Sequence, residues 1–306
     1  MPQKRVKIDF DKERAGKIVF PQIIQAWNLR EGRLAGLIPN ERQIIEACPV
    51  KDPAYYSWLL LLYAGLNRSH LRSTALADKM IRILKLSPES AQSQPHVLAD
   101  YVMNILIFTQ RRKENLQRFW QDSLRAFLPR DPRAIFVHHQ SDRDELLKFF
   151  KKIHGVGDAK IAHLLIFYFR ELAVNYDHKF ARAWPHFNMP VCPVDTHWHK
   201  LLRQTGIVLP GQFNSEYHCS VFRPSSNFVC EVCAGYDLDR WALIQGVHYV
   251  MSLICSRKPK DPIKMSRYCT KNCPFEPLCH DIVWLSDYEI RSGRVGWSTA
   301  QPRYKS

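Results

Sequence analysis

Lys152-Ile153-His154-Gly155-Val156-Gly157-Asp158 stands between two apolar-periodic stretches, residues 142–153 and 159–169, and the fold is decided by how it is read. Two glycines around one apolar residue allow a tight turn between helices. Such a turn aims backbone N–H groups outward beside a helix N-terminus, where they can hold a phosphate without any side chain. Lys148, Lys151 and Lys152 precede it, so the approach is electropositive. A Gly-x-Gly segment between helices serves equally well as a plain helix–helix turn.

Working outward, the helical period continues in both directions. After Asp52-Pro53, Tyr55, Trp58, Leu59, Leu62 and Tyr63 recur at three- and four-residue spacing. Further helices are predicted over residues 71–86, 96–109, 114–127 and 142–153, interrupted by Pro129, Pro132 and a loop at His138-His139-Gln140-Ser141. Residues 175–193 hold three prolines and read as a long connection. A helix is predicted over 194–205, a cysteine-bearing loop over 210–235, and a last helix over 238–254. Residues 1–50 suggest short helices and loops. No sustained strand alternation competes with these patterns, so the fold class is all-α.

The chain has 306 residues, 46% of them hydrophobic and 12% aromatic, enough for one large domain or two modest ones. No apolar run approaches the ~20 residues that span a bilayer. Residues 1–17 lack the apolar core of a signal peptide, so a cytoplasmic protein, nucleoid-associated if prokaryotic, and no membrane partner are expected. Forty-four Lys and Arg against 29 Asp and Glu give a formal charge of +15. That excess favours a polyanionic partner, although it also serves simple solubility.

Nine cysteines in a chain without an export signal point to metal ligation rather than disulfides. Cys255, Cys269, Cys273 and Cys279 follow the spacing Cys-x13-Cys-x3-Cys-x5-Cys. Four thiolates from one short segment suit either an iron–sulfur cubane or a tetrahedral zinc. Cys219, Cys230 and Cys233, with His218 to complete a tetrahedron, form a second candidate zinc site, the alternative being free thiols. Cys48 and Cys192 suggest no role. Pro193-Val194-Asp195-Thr196-His197 opens a helix, and a carboxylate in that first turn either caps the helix or sits ready for chemistry.

The order of these features, a Gly-Val-Gly hairpin, then Val194-Asp195-Thr196-His197, then a cysteine-rich C-terminus, resembles the endonuclease III branch of the helix-hairpin-helix DNA glycosylase superfamily over residues 52–279. The resemblance implies two helical domains: a six-helix domain over residues 48–172 that ends in the hairpin, and a second, cluster-bearing domain from residues 1–47 and 173–306. Damaged double-stranded DNA would lie at the cleft between them, bound by a monomer. Asp195 becomes the catalytic carboxylate, and a 4Fe–4S cluster on Cys255, Cys269, Cys273 and Cys279 is preferred to zinc. His154, Gly155, Val156, Gly157 and Lys152 would meet the DNA backbone. Arg257, Lys258 and Lys260 would do so from the cluster loop, residues 255–279.

Two departures matter. The Schiff-base lysine of bifunctional members falls on Ala159 here, and Lys160 lies about 100° further round the helix. A monofunctional glycosylase in which Asp195 activates water is therefore expected, with a Lys160 lyase as the alternative. A catalytically silent reader of lesioned DNA is the other. Residues 170–192 are also inserted relative to compact members. Tyr55, Tyr56, Trp184 and Trp198 are candidates to stack on a flipped base, or plain core.

Overall fold

The computed structural model describes residues 8–30, 32–67, 73–86, 94–106, 110–128, 130–139, 142–156, 161–208, 219–255, 269 and 271–279. Gly157, Lys160, His218, Arg257, Lys258, Lys260 and the side chain of Cys219 lie outside the described residues. All regular structure among those described is helical, and the sole extended pairing among them joins Phe10 to Val208. The chain divides into two compact units, Ile38–Pro193 and Met1–Leu37 with Val194–Ser306.

In order, the helices are α1 Lys12–Arg14, α2 Phe20–Asn28, α3 Asn40–Ala47, α4 Pro53–Asn67, α5 Ser73–Leu86, α6 Pro95–Ile105, α7 Gln110–Phe127, α8 Arg133–His139 and α9 Arg143–Phe150. They continue as α10 Ile161–Asn175, α11 His178–Ala183, α12 Thr196–Gln204, α13 Cys219–Gly235 and α14 Arg240–Tyr249.

The Ile38–Pro193 unit is built around α4, which is buried on every face from Tyr55 to Leu66. A helix apolar all round can only be a core element. It is covered by α3, α5, α6, α7 and α10. Gly65 lets the ring of Phe119 on α7 lie against the α4 backbone, since a Cβ there would stand 2.4 Å from the ring. Phe136 on α8 stacks on Phe169 of α10 at 4.3 Å and meets Trp184 at 4.7 Å.

This unit begins ten residues earlier and ends later than the expected 48–172, and buried ion pairs explain both extensions. Glu171, 4% exposed, is held by Arg42 of α3 at 2.9 Å and Arg170 at 2.6 Å, which ties α3 to α10. Arg133 bridges Asp131 and the buried Asp177, the cap of α11. The connection expected over 175–193 thus contains a helix. His163 Nδ1 donates to the carbonyl of Cys192 at 2.9 Å, pinning the last residues of the unit. His138 and His139 end α8 rather than forming a loop, because buried Phe136 and the Arg133 bridge fix that turn.

In the other unit, α1 runs through a π-helical turn, Ala15–Val19, into α2, which packs on α14. Trp27 stacks on Tyr249 at 5.4 Å and Phe10 on Phe228 at 4.2 Å. Asp11 N–H donates to the carbonyl of Ile207 at 2.8 Å, so the N-terminal segment joins residues that follow α12. The loop predicted over 210–235 is largely α13: Phe228, Val229, Val232 and Cys233 are buried at helical spacing, which outweighs the hydrogen bond forfeited at Pro224. No helix among the described residues is long and apolar enough to cross a membrane.

Candidate functional site

Asp195 is the N-cap of α12. Its backbone is extended, at φ −134° and ψ −166°, and its Oδ1 accepts from the N–H groups of His197 at 2.8 Å and Trp198 at 3.3 Å. Pro193 is half-buried and Val194 fully buried, so the chain enters the helix from a fixed direction. The carboxylate itself is half-buried at the positive end of the helix dipole, the end that favours an anion.

One turn on, His199 is 3% exposed, with Nε2 3.3 Å from Ser225 Oγ on α13. Burial pushes its pKa down to about 4, a fall that the neighbouring Asp195 charge only partly opposes. His199 is therefore neutral near pH 7 and serves as a polar pin between α12 and α13. Ser225 is fully buried, so this Asp, His and Ser grouping offers no nucleophile to a substrate. No periodicity argument singles out His199 or Ser225, because a buried histidine and a buried serine look in sequence like exposed ones.

The hairpin forms the predicted turn up to Val156. Gly155 has φ +79°, a left-handed conformation that glycine adopts without steric cost. The turn is held by α7: His154 N–H donates to Asp122 Oδ2 at 3.0 Å, and His154 Nε2 lies 3.3 Å from Asn115 Oδ1. Val156 N–H donates to the carbonyl of Ile153 at 3.1 Å, and the Val156 side chain is buried. Two backbone donors expected to face a phosphate are thus used within the protein, while Lys151 and Lys152 are exposed beside them. Asn115 and Asp122, seven residues apart on one amphipathic helix, gave no signal of this role.

The expected cluster ligands come together in part. The thiols of Cys255 and Cys273 share a hydrogen bond that, with burial, holds Cys273 protonated far above the usual thiol range. Cys273 N–H donates to the carbonyl of Cys269 at 2.8 Å, placing those two on one turn. Cys279 follows the short 3-10 helix Glu276–Leu278. Among the described residues, no group of three or more His, Cys, Asp or Glu is gathered closely enough to hold a metal ion. In donor chemistry the set fits a thiolate-bound group: four cysteines, two of them buried and two half-buried. Cys230 and Cys233 are both buried on α13, and burial pushes Cys233 up to about 12, against the opposing charge of Arg240.

The four aromatic candidates for stacking on a base are core. Tyr55, Tyr56, Trp184 and Trp198 are all buried, Trp184 stacking on Phe180 at 5.4 Å and Trp198 meeting Phe20 edge-on at 6.2 Å. Comparison with known proteins finds no matching family model, no similar curated protein and no similar solved structure.

Proposed function

We propose that the chain is a DNA glycosylase that hydrolyses the N-glycosidic bond of a damaged or modified base rotated out of the duplex. The observation that carries this reading is the carboxylate of Asp195, fixed at a helix N-terminus by two backbone N–H groups. Breaking the bond from C1′ to the base nitrogen leaves positive charge on the sugar. A carboxylate already held in place stabilises that charge without reorganising during the reaction. It also accepts a proton from the attacking water as the new C1′–O bond forms, while the base departs with the bonding electron pair and takes up a proton. Support for duplex DNA as the partner comes from the +15 charge and from the glycine turn flanked by exposed lysines. Cys255, Cys269, Cys273 and Cys279 would hold the 4Fe–4S cluster, whose part here is to brace the basic segment between them.

A second reading draws on the same contacts. Two N–H groups on one carboxylate oxygen make a complete N-cap, and a DNA reader without chemistry needs no more of Asp195.

Duplexes bearing single modified bases, incubated with the purified protein and analysed with and without alkali, test both readings. Breaks that need alkali and vanish in Asp195→Asn are expected of the glycosylase. Breaks without alkali, trapped by borohydride on Lys160, make it a lyase instead. Tight binding with no product on any duplex favours the silent reader.

A further inference from the structure

The contacts that hold the hairpin also orient α7. Asn115 and Asp122 both touch His154, so the face of α7 they share is turned toward the hairpin. Arg118 lies between them in sequence. At 100° per residue it falls about 40° to one side of Asp122, and Arg125 falls about 60° to that same side. Both arginines are exposed. Arg118 makes no hydrogen bond or ion pair among the described residues. Arg125 meets Asp122 at 3.6 Å with its side chain 80% exposed, a pairing weak enough to be exchanged for another anion. The Asp122 charge is itself partly offset by Arg125 and the His154 N–H. On the hairpin side, Lys152 is exposed and its charge reaches His139 at the end of α8, helping to lower that imidazole below its ordinary pKa after burial and His138.

We propose that α7 is a second phosphate-contacting element, with Arg118 and Arg125 joining Lys152 in holding the sugar-phosphate backbone of double-stranded DNA. The inference rests on the reading of the hairpin as a duplex-binding turn. It follows from the loss of the His154 and Val156 N–H groups to internal bonds, which leaves side-chain cations to carry more of the contact. The two guanidinium stems leave the helix about 10.5 Å apart, so they reach different phosphates of a duplex carrying one charge per ~1.7 Å of axis.

The test is the salt dependence of binding of the full chain to an undamaged duplex of arbitrary sequence. Arg118→Gln and Arg125→Gln should each reduce the slope of log affinity on log salt by about 0.9 and weaken binding ~5-fold at 0.15 M salt, the pair together about 30-fold. Lys79→Gln, an exposed change on α5, which packs on α3, α4 and α6, should leave the slope unchanged. If Lys152→Gln lowers the slope while both arginine variants keep the wild-type value, the hairpin binds DNA and α7 does not. An equal loss in Lys79→Gln reduces the effect to bulk charge and overturns the proposal. Failure of the wild-type chain to bind any duplex, or arginine-dependent binding of single-stranded RNA alone, removes the duplex reading and this inference together.

Discussion

The start of α12 and the turn at Gly155 are each fixed by a carboxylate that accepts from the backbone, two N–H groups at Asp195 and one at Asp122, yet the two carboxylates arrive by different routes. Asp195 reaches donors two and three residues ahead of it. Asp122 reaches across 32 residues, from α7 to His154. The first arrangement is written into a short sequence and forms whenever the helix forms. The second exists only once α7 and the hairpin have packed. A locally built site keeps its geometry through mutations elsewhere, whereas a site held by tertiary contact inherits every disturbance of the partner helix.

The largest effect that can break this comparison comes from charge removal at the local site. Asn is as good an N-cap as Asp, so Asp195→Asn should keep the bonds to His197 and Trp198 and leave the melting temperature within about a degree. Its single-turnover excision rate should fall on the order of 10²–10⁴-fold. A variant that still excises would reduce Asp195 to a cap, and the two carboxylates would then do the same structural work.

Acid sharpens the comparison next, because the helix that Asp195 caps also carries a long-range contact, from His199 to Ser225. His199 has a folded pKa of about 4 against an ordinary value near 6.5. As pH falls below 6.5 the unfolded chain takes up the proton first, so stability present above that pH is lost progressively down to about 4. The full loss amounts to about 3 kcal/mol. Urea unfolding at pH 7 and pH 4.5 should show a steep loss in the wild-type chain and a shallower one in His199→Gln. Equal acid sensitivity in both would mean that other groups govern it.

The all-helical architecture was legible because α4 and α10 carry apolar residues at nearly every helical position, and burial follows from that composition alone. Asp195 was legible for a related reason: an acidic residue between Pro193-Val194 and a periodic stretch makes its contacts within three residues. What could not be read depends on distant partners. The ring contacts of Tyr55, Tyr56, Trp184 and Trp198 separate core from surface only after folding. The helix of α13 was hidden by Pro224 and by Ser225 and Ser226, polar in sequence but fully buried. The neutral state of His199 comes from burial that no neighbour in sequence reports.

The hairpin itself supplies a third probe. Gly155→Ala forces a Cβ into the left-handed region, which costs roughly 1–2 kcal/mol, and unfolding measured by denaturant should register it. No measurable loss would mean that the turn relaxes to another conformation. The local site has no matching position, since Asp195 has an extended backbone that any L-residue adopts without strain.

The smallest effect discriminates most finely between the two routes. Asp122→Ala removes the acceptor of the half-buried His154 N–H, and a donor left unsatisfied costs about 1–2 kcal/mol. Asp195→Ala removes a cap at a cost of about 1 kcal/mol. The totals are nearly equal, so global unfolding cannot tell them apart, but amide exchange can. Loss of the cap should speed exchange at His197 and Trp198 and little beyond them, because those bonds span two and three residues. Loss of Asp122 should speed exchange at His154 and Val156 together, because Asp122 ties to α7 the backbone of the turn that both residues belong to, leaving only the side-chain contact of His154 with Asn115. If the Asp122 variant changes His154 alone, the turn is as local as the cap, and its geometry would have to come from Gly155 and the Val156 bond to Ile153 rather than from α7.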